Sequence, residues 1–419
     1  LGEGLLTVWG GTANLLGNFL SAKSLGVMNG RLNITPSTSV YVAELGMAND
    51  GILSISGPGA NVVFSDLVYL GVRVTEDPVA KAYATVENGG LLYAASDVIV
   101  GGGIHTTLTV TGPGSTLTNE TGKMILGEYD DSVYHLLETD ERYFGTGVLV
   151  VANEGVVNLN YNTSGTLYLS GSASKLVIGS LPGEVAPTAP GYLIADTVTS
   201  TTTSVQGAVI FHHTATDSNP YLFSPAVTGD VSIEHHAGVT VLDGSNSNNG
   251  ITVYGGTLAL GPNGTLSEQG WLSINGMDAA VYLNGKSATV EEFYLFDGEL
   301  RNGTLKSKSG FYTEAGRISA VLTGTVSLIK AGERTLTLEG DQLYTGATQI
   351  LGGWVELKGS IVSDATVPWL GVHHRRLYRG CRLPRVPQLR SGDCGRLRQP
   401  GQQALQRRQD LSQQRCRQC

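Results

Sequence analysis

AGERTLTLEGDQLYTGATQILGGWVELKG, residues 331–359, decides the fold. Apolar and polar residues alternate in TLTL (335–338), stop at Glu339-Gly340-Asp341, resume near Thr348, break at Gly352-Gly353 and alternate again in WVEL (354–357). A period of two sends successive side chains to opposite faces, so each short run is a half-buried strand, and the Gly- and Asp-containing punctuation turns the chain sharply. A four-residue strand buries almost nothing alone. Stacking many such coils at about 4.8 Å per strand aligns the apolar positions into one continuous core, with nearest-neighbour contact in place of a globular interior.

The same order of strand, Gly, Asn- or Asp-rich turn, strand, Gly-Gly turn and strand recurs in AGVTVLDGSNSNNGITVYGGTLAL (237–260). Two shorter phrases alternate before residue 180. One is VMNGRLNITPSTSVYVAELG (27–46), VENGGLLYAASDVIVGG (86–102) and VANEGVVNLNYN (151–162). The other is GILSISGPGANVV (51–63), TTLTVTGPGSTLT (106–118) and GTLYLSGSASKLV (165–177). Repetition of this kind predicts a parallel β-solenoid with coils of about 20 residues and a length on the order of 80 Å. The charged, off-pattern stretches VTEDPVA (74–80) and EYDDSVYHLLETDERYF (128–144) read as polar loops inserted between coils.

Composition agrees with this reading. The 419 residues include 57 Gly, only 15% are charged and 7% aromatic, and before residue 367 no helical apolar spacing lasts beyond about two turns. The formal net charge of −9 hides a split: residues 368–419 carry 12 Arg, no Lys and 2 acidic residues, a net of +10, leaving 15 basic and 34 acidic residues and a net of −19 on residues 1–367. All four cysteines, Cys381, Cys394, Cys416 and Cys419, fall in that basic tail, so disulfides cannot staple the body. No run of 18 apolar residues suggests a transmembrane helix. LGEGLLTVWGGTANLLGNFL (1–20) lacks a basic start, contains Glu3 and alternates like a strand, so it reads as an internal stretch whose export signal lies upstream or has been lost. The expected organisation is a solenoid of Gly-Pro-Gly-type repeats over 1–204, a solenoid of the 331–359 type over 205–367, and an unstructured tail over 368–419.

The 331–359 stretch resembles the autotransporter-associated β-strand repeat, whose usual form is a Gly-rich phrase with TLTL, a polar turn ending YTG, T-x-I or T-x-V, GG and a closing L-x-L. AGERTLTLEGDQLYTGATQILGGWVELKG matches nearly throughout, and 237–260 matches with SNNG in place of YTG. Phrases such as LTVTGPGSTLTN (108–119) are similar to those found upstream in the same large passenger proteins. The resemblance covers most of residues 25–365. It implies a right-handed parallel β-helix, export to the surface of a Gram-negative bacterium by type V secretion, and a C-terminal outer-membrane β-barrel, for which this sequence shows no segment.

After Val367 the pattern stops, and PWLGVHHRRLYRGCRLPRVPQLRSGDCGRLRQPGQQALQRRQDLSQQRCRQC keeps neither strand nor helix periodicity. A basic tail could engage nucleic acid, acidic lipid or lipopolysaccharide. The abrupt onset inside a repeat, together with the arrival of every cysteine, favours a reading-frame shift, and nucleic acid is not expected as a partner.

Little in the body points to chemistry. His212-His213 and His235-His236 lie 23 residues apart, roughly one coil, a spacing that allows a stacked histidine ladder. Alternation gives each face only one histidine of a pair, and no Cys, Asp or Glu sits at ligand spacing, so no metal site is expected. Glu128, Asp130 and Asp131, with Asp140 and Glu141 at the far end of the same insert, form the one dense acidic cluster. They are the only candidates for the paired carboxylates that a polysaccharide-cleaving β-helix would need, and they read as a solvated loop. Gly101-Gly102-Gly103 lacks the following helix and Lys of a phosphate loop. Trp9, Trp271 and Trp354 are expected to fill the core or cap turns, with sugar stacking as the alternative if they are exposed. No catalytic, cofactor-binding or metal residue is expected, and no cofactor. The expected role is a non-enzymatic, adhesin-like surface fibre with host or matrix proteins or glycans as partners, and a β-helical polysaccharide lyase or glycoside hydrolase as the alternative.

Overall fold

The computed structural model describes residues 4–72, 80–127, 145–170, 173–200, 207–362 and 365–366. They form 35 strands and, among the described residues, no helix. Every ladder between strands is parallel, and the fold is the all-β parallel solenoid that the alternation predicts. The acidic cluster at 128–141, residues 74–79 of the first insert and the tail with its cysteines lie outside the described residues.

Each coil contributes three strands, one to each of three parallel faces. Face one runs from 11–15 through 30–34, 52–56, 81–87, 105–111, 147–152, 175–179, 207–212, 231–235 and 250–253 to 365–366, sixteen rungs in all. At about 4.8 Å per rung this stack is about 70 Å long, a little shorter than expected, because the coils are longer than supposed. Paired residues lie from 17 apart (Ser287 and Thr304) to 43 apart (Lys123 and Thr166) in sequence. Face two includes 38–42, 61–64, 91–94, 116–119, 156–158, 192–194, 221–223, 239–242, 256–260 and 279–282, then 299–301, 316–318, 335–338 and 354–357. Face three includes 44–48, 68–72, 98–100, 123–127, 166–170, 197–199 and 226–229, and later 304–307 and 321–324. The stack is continuous across residues 175–235, since 175–179 pairs with 207–212 and 207–212 with 231–235.

Alternation fixes which residues face inward. Along face one the paired inward positions are Leu32, Leu53, Ala84, Leu108, Leu149, Leu176, Val209, Ile233, Ile251, Leu272, Phe293, Phe311 and Leu328. All are buried, and each such aliphatic side chain is worth roughly 1.5–3 kcal/mol removed from water. A small second cluster, Val148, Val177, Ala208 and Ile210, lies on the outer side of face one and is closed over by Leu181.

The two long repeats place their strands alike. In both 237–260 and 331–359 the order is face two, face three, face one, face two, with strands Val239–Leu242 and Thr335–Leu338 as the first of each. The shorter phrases do not keep to one corner. ILSIS (52–56) and HTTLTVT (105–111) lie on face one and lead through Gly-Pro-Gly into face two, where Gly57, Gly59, Gly112 and Gly114 take φ of 98°, 74°, 89° and 77°. Their supposed third copy, 165–177, instead passes from face three to face one. The left-handed residue described at that corner is Ala173, at φ 68°, rather than a glycine.

Candidate functional site

The densest group of polar side chains in the described core surrounds the two histidine pairs. Coil spacing is 24 residues here, with Gly207 paired to Val231, and the pairs of successive coils meet edge to face: ring centroids are 6.2 Å apart at 80° for His212 and His236 and 6.1 Å apart at 84° for His213 and His235. The expectation of one ring per face holds for His235, buried, and His236, which points out, stacks on Tyr254 at 4.7 Å and meets Glu234 at 3.3 Å. It holds for the other pair too: His213 lies inward beside Phe211, Tyr221 and His235, while His212 lies on the outer side beside His236 and is buried there against Ser180.

His213, Thr240 and His235 form one directed hydrogen-bond chain. His235 Nδ1 lies 2.7 Å from the Gly255 carbonyl, which can only accept, so this nitrogen carries the proton. His235 Nε2 is then an acceptor and takes the Thr240 hydroxyl proton across 3.1 Å. The Thr240 oxygen in turn accepts from His213 Nε2 at 2.8 Å, and His213 Nδ1 accepts the Ala215 N–H at 3.3 Å. Each donor meets one acceptor only while both rings are neutral. Burial holds them so, pushing His213 down to about 3, with the neighbouring His235 and His212 adding to the effect, and His235 down to about 4 against the opposing pull of the Gly255 carbonyl. Phe211, Tyr221 and Phe223 pack around the rings, and Gly238 and Gly256 leave them room: a Cβ would lie 2.3 Å from His213 Nδ1 in the first case and 2.9 Å from His235 Cε1 in the second. His213 is 1% exposed and His235 fully enclosed, so neither can meet an external substrate. His212 is lowered mainly by desolvation, and its Nδ1 lies 3.1 Å from both the carbonyl and the hydroxyl of Ser180, whose own proton goes to the Ala186 carbonyl at 2.8 Å. No group of three or more metal-ligating side chains occurs among the described residues.

Three further buried polar groups were not singled out in the sequence. Lys330 occupies the inward position of Leu328–Lys330 and is fully buried; its ammonium donates to the carbonyls of Ala331 (2.5 Å), Gly332 (3.0 Å) and, one coil on, Gly352 (3.1 Å). Burial lowers its pKa, partly offset by Glu314. Gln342 Oε1 accepts the Leu322 N–H at 2.8 Å, and its Nε2 donates to the carbonyls of Glu339 (2.8 Å) and Ala320 (3.3 Å). Asn246 stands at the matching position of the other long repeat, and its side chain accepts from the Val227 N–H and donates to the Thr265 carbonyl, both at 2.9 Å. These amides clamp successive coils at the corner between faces two and three. Alternation marked Lys330 as inward, and the alignment of 237–260 with 331–359 put an amide at one corner position in both; the partners one coil away carried no local signal.

The surface offers aromatic and charged groups. Trp9 and Trp354 are 68% and 51% exposed, and Trp271 lies outward across Gly250, where a Cβ would meet its ring at 2.2 Å, so none of the three fills the core. Tyr294 stacks on Tyr312 of the next coil at 5.2 Å and hands its hydroxyl proton to Glu292 at 2.6 Å. Arg317 bridges Glu299 and Glu339 of the coils on either side, and its hydrogen bond to Glu339 holds that carboxyl below the usual range, the wrong direction for a general acid.

Among the described residues, these features define a parallel β-solenoid whose buried polar groups serve its own coils. Comparison with known proteins adds one relative: the Adhesin BmaC autotransporter of Brucella suis biovar 1 (strain 1330) is 28% identical over 354 residues, covering 72% of this chain and 10% of the relative. The chain thus spans about a tenth of the length of the curated protein it matches. No protein-family model matches it, and no solved structure does.

Proposed function

We propose that this chain is a stretch of autotransporter passenger, a non-enzymatic, adhesin-like rod displayed at the surface of a Gram-negative bacterium or released from it. One observation carries the reading: a stack of parallel coils continues through the described body of a chain whose sequence is similar, over 72% of its length, to an autotransporter adhesin. In such a protein the segments 1–204 and 205–367 are two repeat types of one passenger, and an outer-membrane barrel belongs to the parent. A rod held by backbone ladders and an aliphatic core places its side faces far from its anchor, which suits contact with host or matrix proteins or glycans.

Surface labelling of intact, unpermeabilised cells with antibodies against the solenoid tests the display, and labelling only after lysis would refute it. Incubation of the purified chain with matrix proteins and polysaccharides, scored for retention and for new reducing ends or unsaturated products, tests the role. Retention without cleavage is expected. Cleavage lost on replacing Asp130 and Asp131 would establish a β-helical carbohydrate enzyme instead.

A further inference from the structure

Rings on the outer side of face one form a ladder in which one rung carries no ring. His236, Tyr254, Asn275 and Phe296 directly follow His235, Val253, Ile274 and Leu295, which pair in successive coils. The His236 and Tyr254 rings stack at 4.7 Å and 21°, so the other face of Tyr254 turns to the coil of Asn275. On the far side of that coil Phe296 lies parallel to Tyr294, within 4°, and Tyr294 is backed in turn by Tyr312 at 5.2 Å and 18°. Between these two walls the coil offers only Ser273, which pairs with Tyr294, and Asn275. A trough one coil wide results.

The trough is open to solvent. Tyr254 and Phe296 are 43% and 36% exposed, Asn275 and Asp278 are exposed, and Met277 stands 79% exposed and so packs over none of them. Two rungs separate the walls, about 9.6 Å, which puts a group midway about 4.8 Å from either ring, inside the ~6 Å over which an aromatic face attracts a cation. Charge selects a cation over a neutral ring of the same thickness. Glu234 and Glu292 stand on the same outer side, Asp278 follows at the corner, and residues 1–367 carry a net charge of −19. Basic side chains of the flanking corners are taken, Arg334 by Asp297 and Lys308 by Glu268. A guanidinium is planar, so it lies flat between parallel rings while its N–H groups donate at its edge, where Asn275 Oδ1 can accept; an ammonium is compact and more strongly hydrated. The chain makes a contact of this kind itself, where the Arg301 guanidinium lies 5.9 Å from the Tyr282 ring of the preceding coil.

We propose that the trough between Tyr254 and Phe296 is a binding slot for an arginine side chain presented by a basic protein segment. This deepens the adhesin-like reading by giving the chemistry of one contact; it holds or fails in solution, whereas display holds or fails by labelling of cells.

Saturation-transfer NMR of the full 419-residue chain with a short peptide carrying a single arginine, in millimolar excess over the arginines of residues 368–419, tests it. Saturation is expected to be strongest at the arginine side chain, and the same peptide with citrulline, neutral and of the same shape, shows none. Tyr254→Ala raises the Kd about threefold or more, while Tyr254→Phe keeps the ring and the affinity. Asn275→Phe fills the trough with a ring of the chain's own, leaves the circular dichroism unchanged and abolishes binding. Absence of saturation overturns the proposal, as does arginine binding indifferent to Tyr254→Ala or surviving Asn275→Phe, which is attraction to the acidic body at large. Equal binding of the citrulline peptide, or binding of a neutral oligosaccharide in its place that Asn275→Phe removes, assigns the trough to uncharged ligands and overturns it too.

Discussion

Replacing Thr240 by Val removes one hydroxyl and almost no volume, so its effect isolates the polar chain in the core. The substitution leaves the His213 Nε2 proton without an acceptor and the His235 Nε2 lone pair without a donor, in a site no water reaches, since Thr240 itself is fully buried. Each orphaned buried group costs about 1–3 kcal/mol, so the coils built on 207–212, 231–235 and 250–253 lose about 2–6 kcal/mol of local stability. A stack of this kind opens coil by coil, and a single unfolding midpoint would blur the effect. Native-state hydrogen exchange resolves it: amides of Val209, Ile233 and Ile251 exchange at least about thirty-fold faster, while those of Leu53 and Leu108, several coils away, keep their rates. Thr240→Ser keeps the hydroxyl, loses one methyl group and costs about 1 kcal/mol or less. Acceleration below about three-fold in Thr240→Val, or equal effects of Val and Ser, would refute the directed chain and leave Thr240 a space-filling residue.

Acidification attacks the same segment. Both folded pKa values, about 3 and about 4, lie below the ordinary 6.5, so the unfolded coils bind more protons: protection is complete above pH 6.5 and falls by up to about 2.7 kcal/mol per pH unit towards pH 4, which exchange at 207–253 against pH would show. Lys330→Met fills the same inward space but leaves the carbonyls of Ala331, Gly332 and Gly352 without their donor; a loss of about 1–3 kcal/mol should appear as faster exchange at Leu328 and Thr348. Gln342→Leu orphans the Leu322 N–H and should cost about 1–3 kcal/mol in the coils at 321–344, with Gln342→Glu as a check on geometry, because a carboxylate can still accept from Leu322 but cannot donate to Glu339 and Ala320.

How much of this was legible follows from which interactions are local. A strand's alternation depends on its own residues, so TLTL at 335–338 and ILSIS at 52–56 declared their inward and outward sides without any partner, and the two long repeats aligned onto the same faces. Corners are different. Gly-Pro-Gly and Gly-Ser punctuation marks a sharp turn but not which of three corners it makes, which is why 165–177 resembled 51–63 and yet turns from face three to face one.

Register is the least local quantity of all, because the sequence distance between stacked residues varies from 17 to 43 as inserts lengthen some coils. Any property carried along the stack stays invisible until that distance is known for every coil. The Asn246 and Gln342 clamps show the limit: their residue type could be read at one repeat position, but their acceptors and donors lie 19 to 22 residues away on neighbouring coils. Since a mutation that shifts one coil by a single residue would exchange its inner and outer rows, the pairing that protects the core also decides which side chains each face presents.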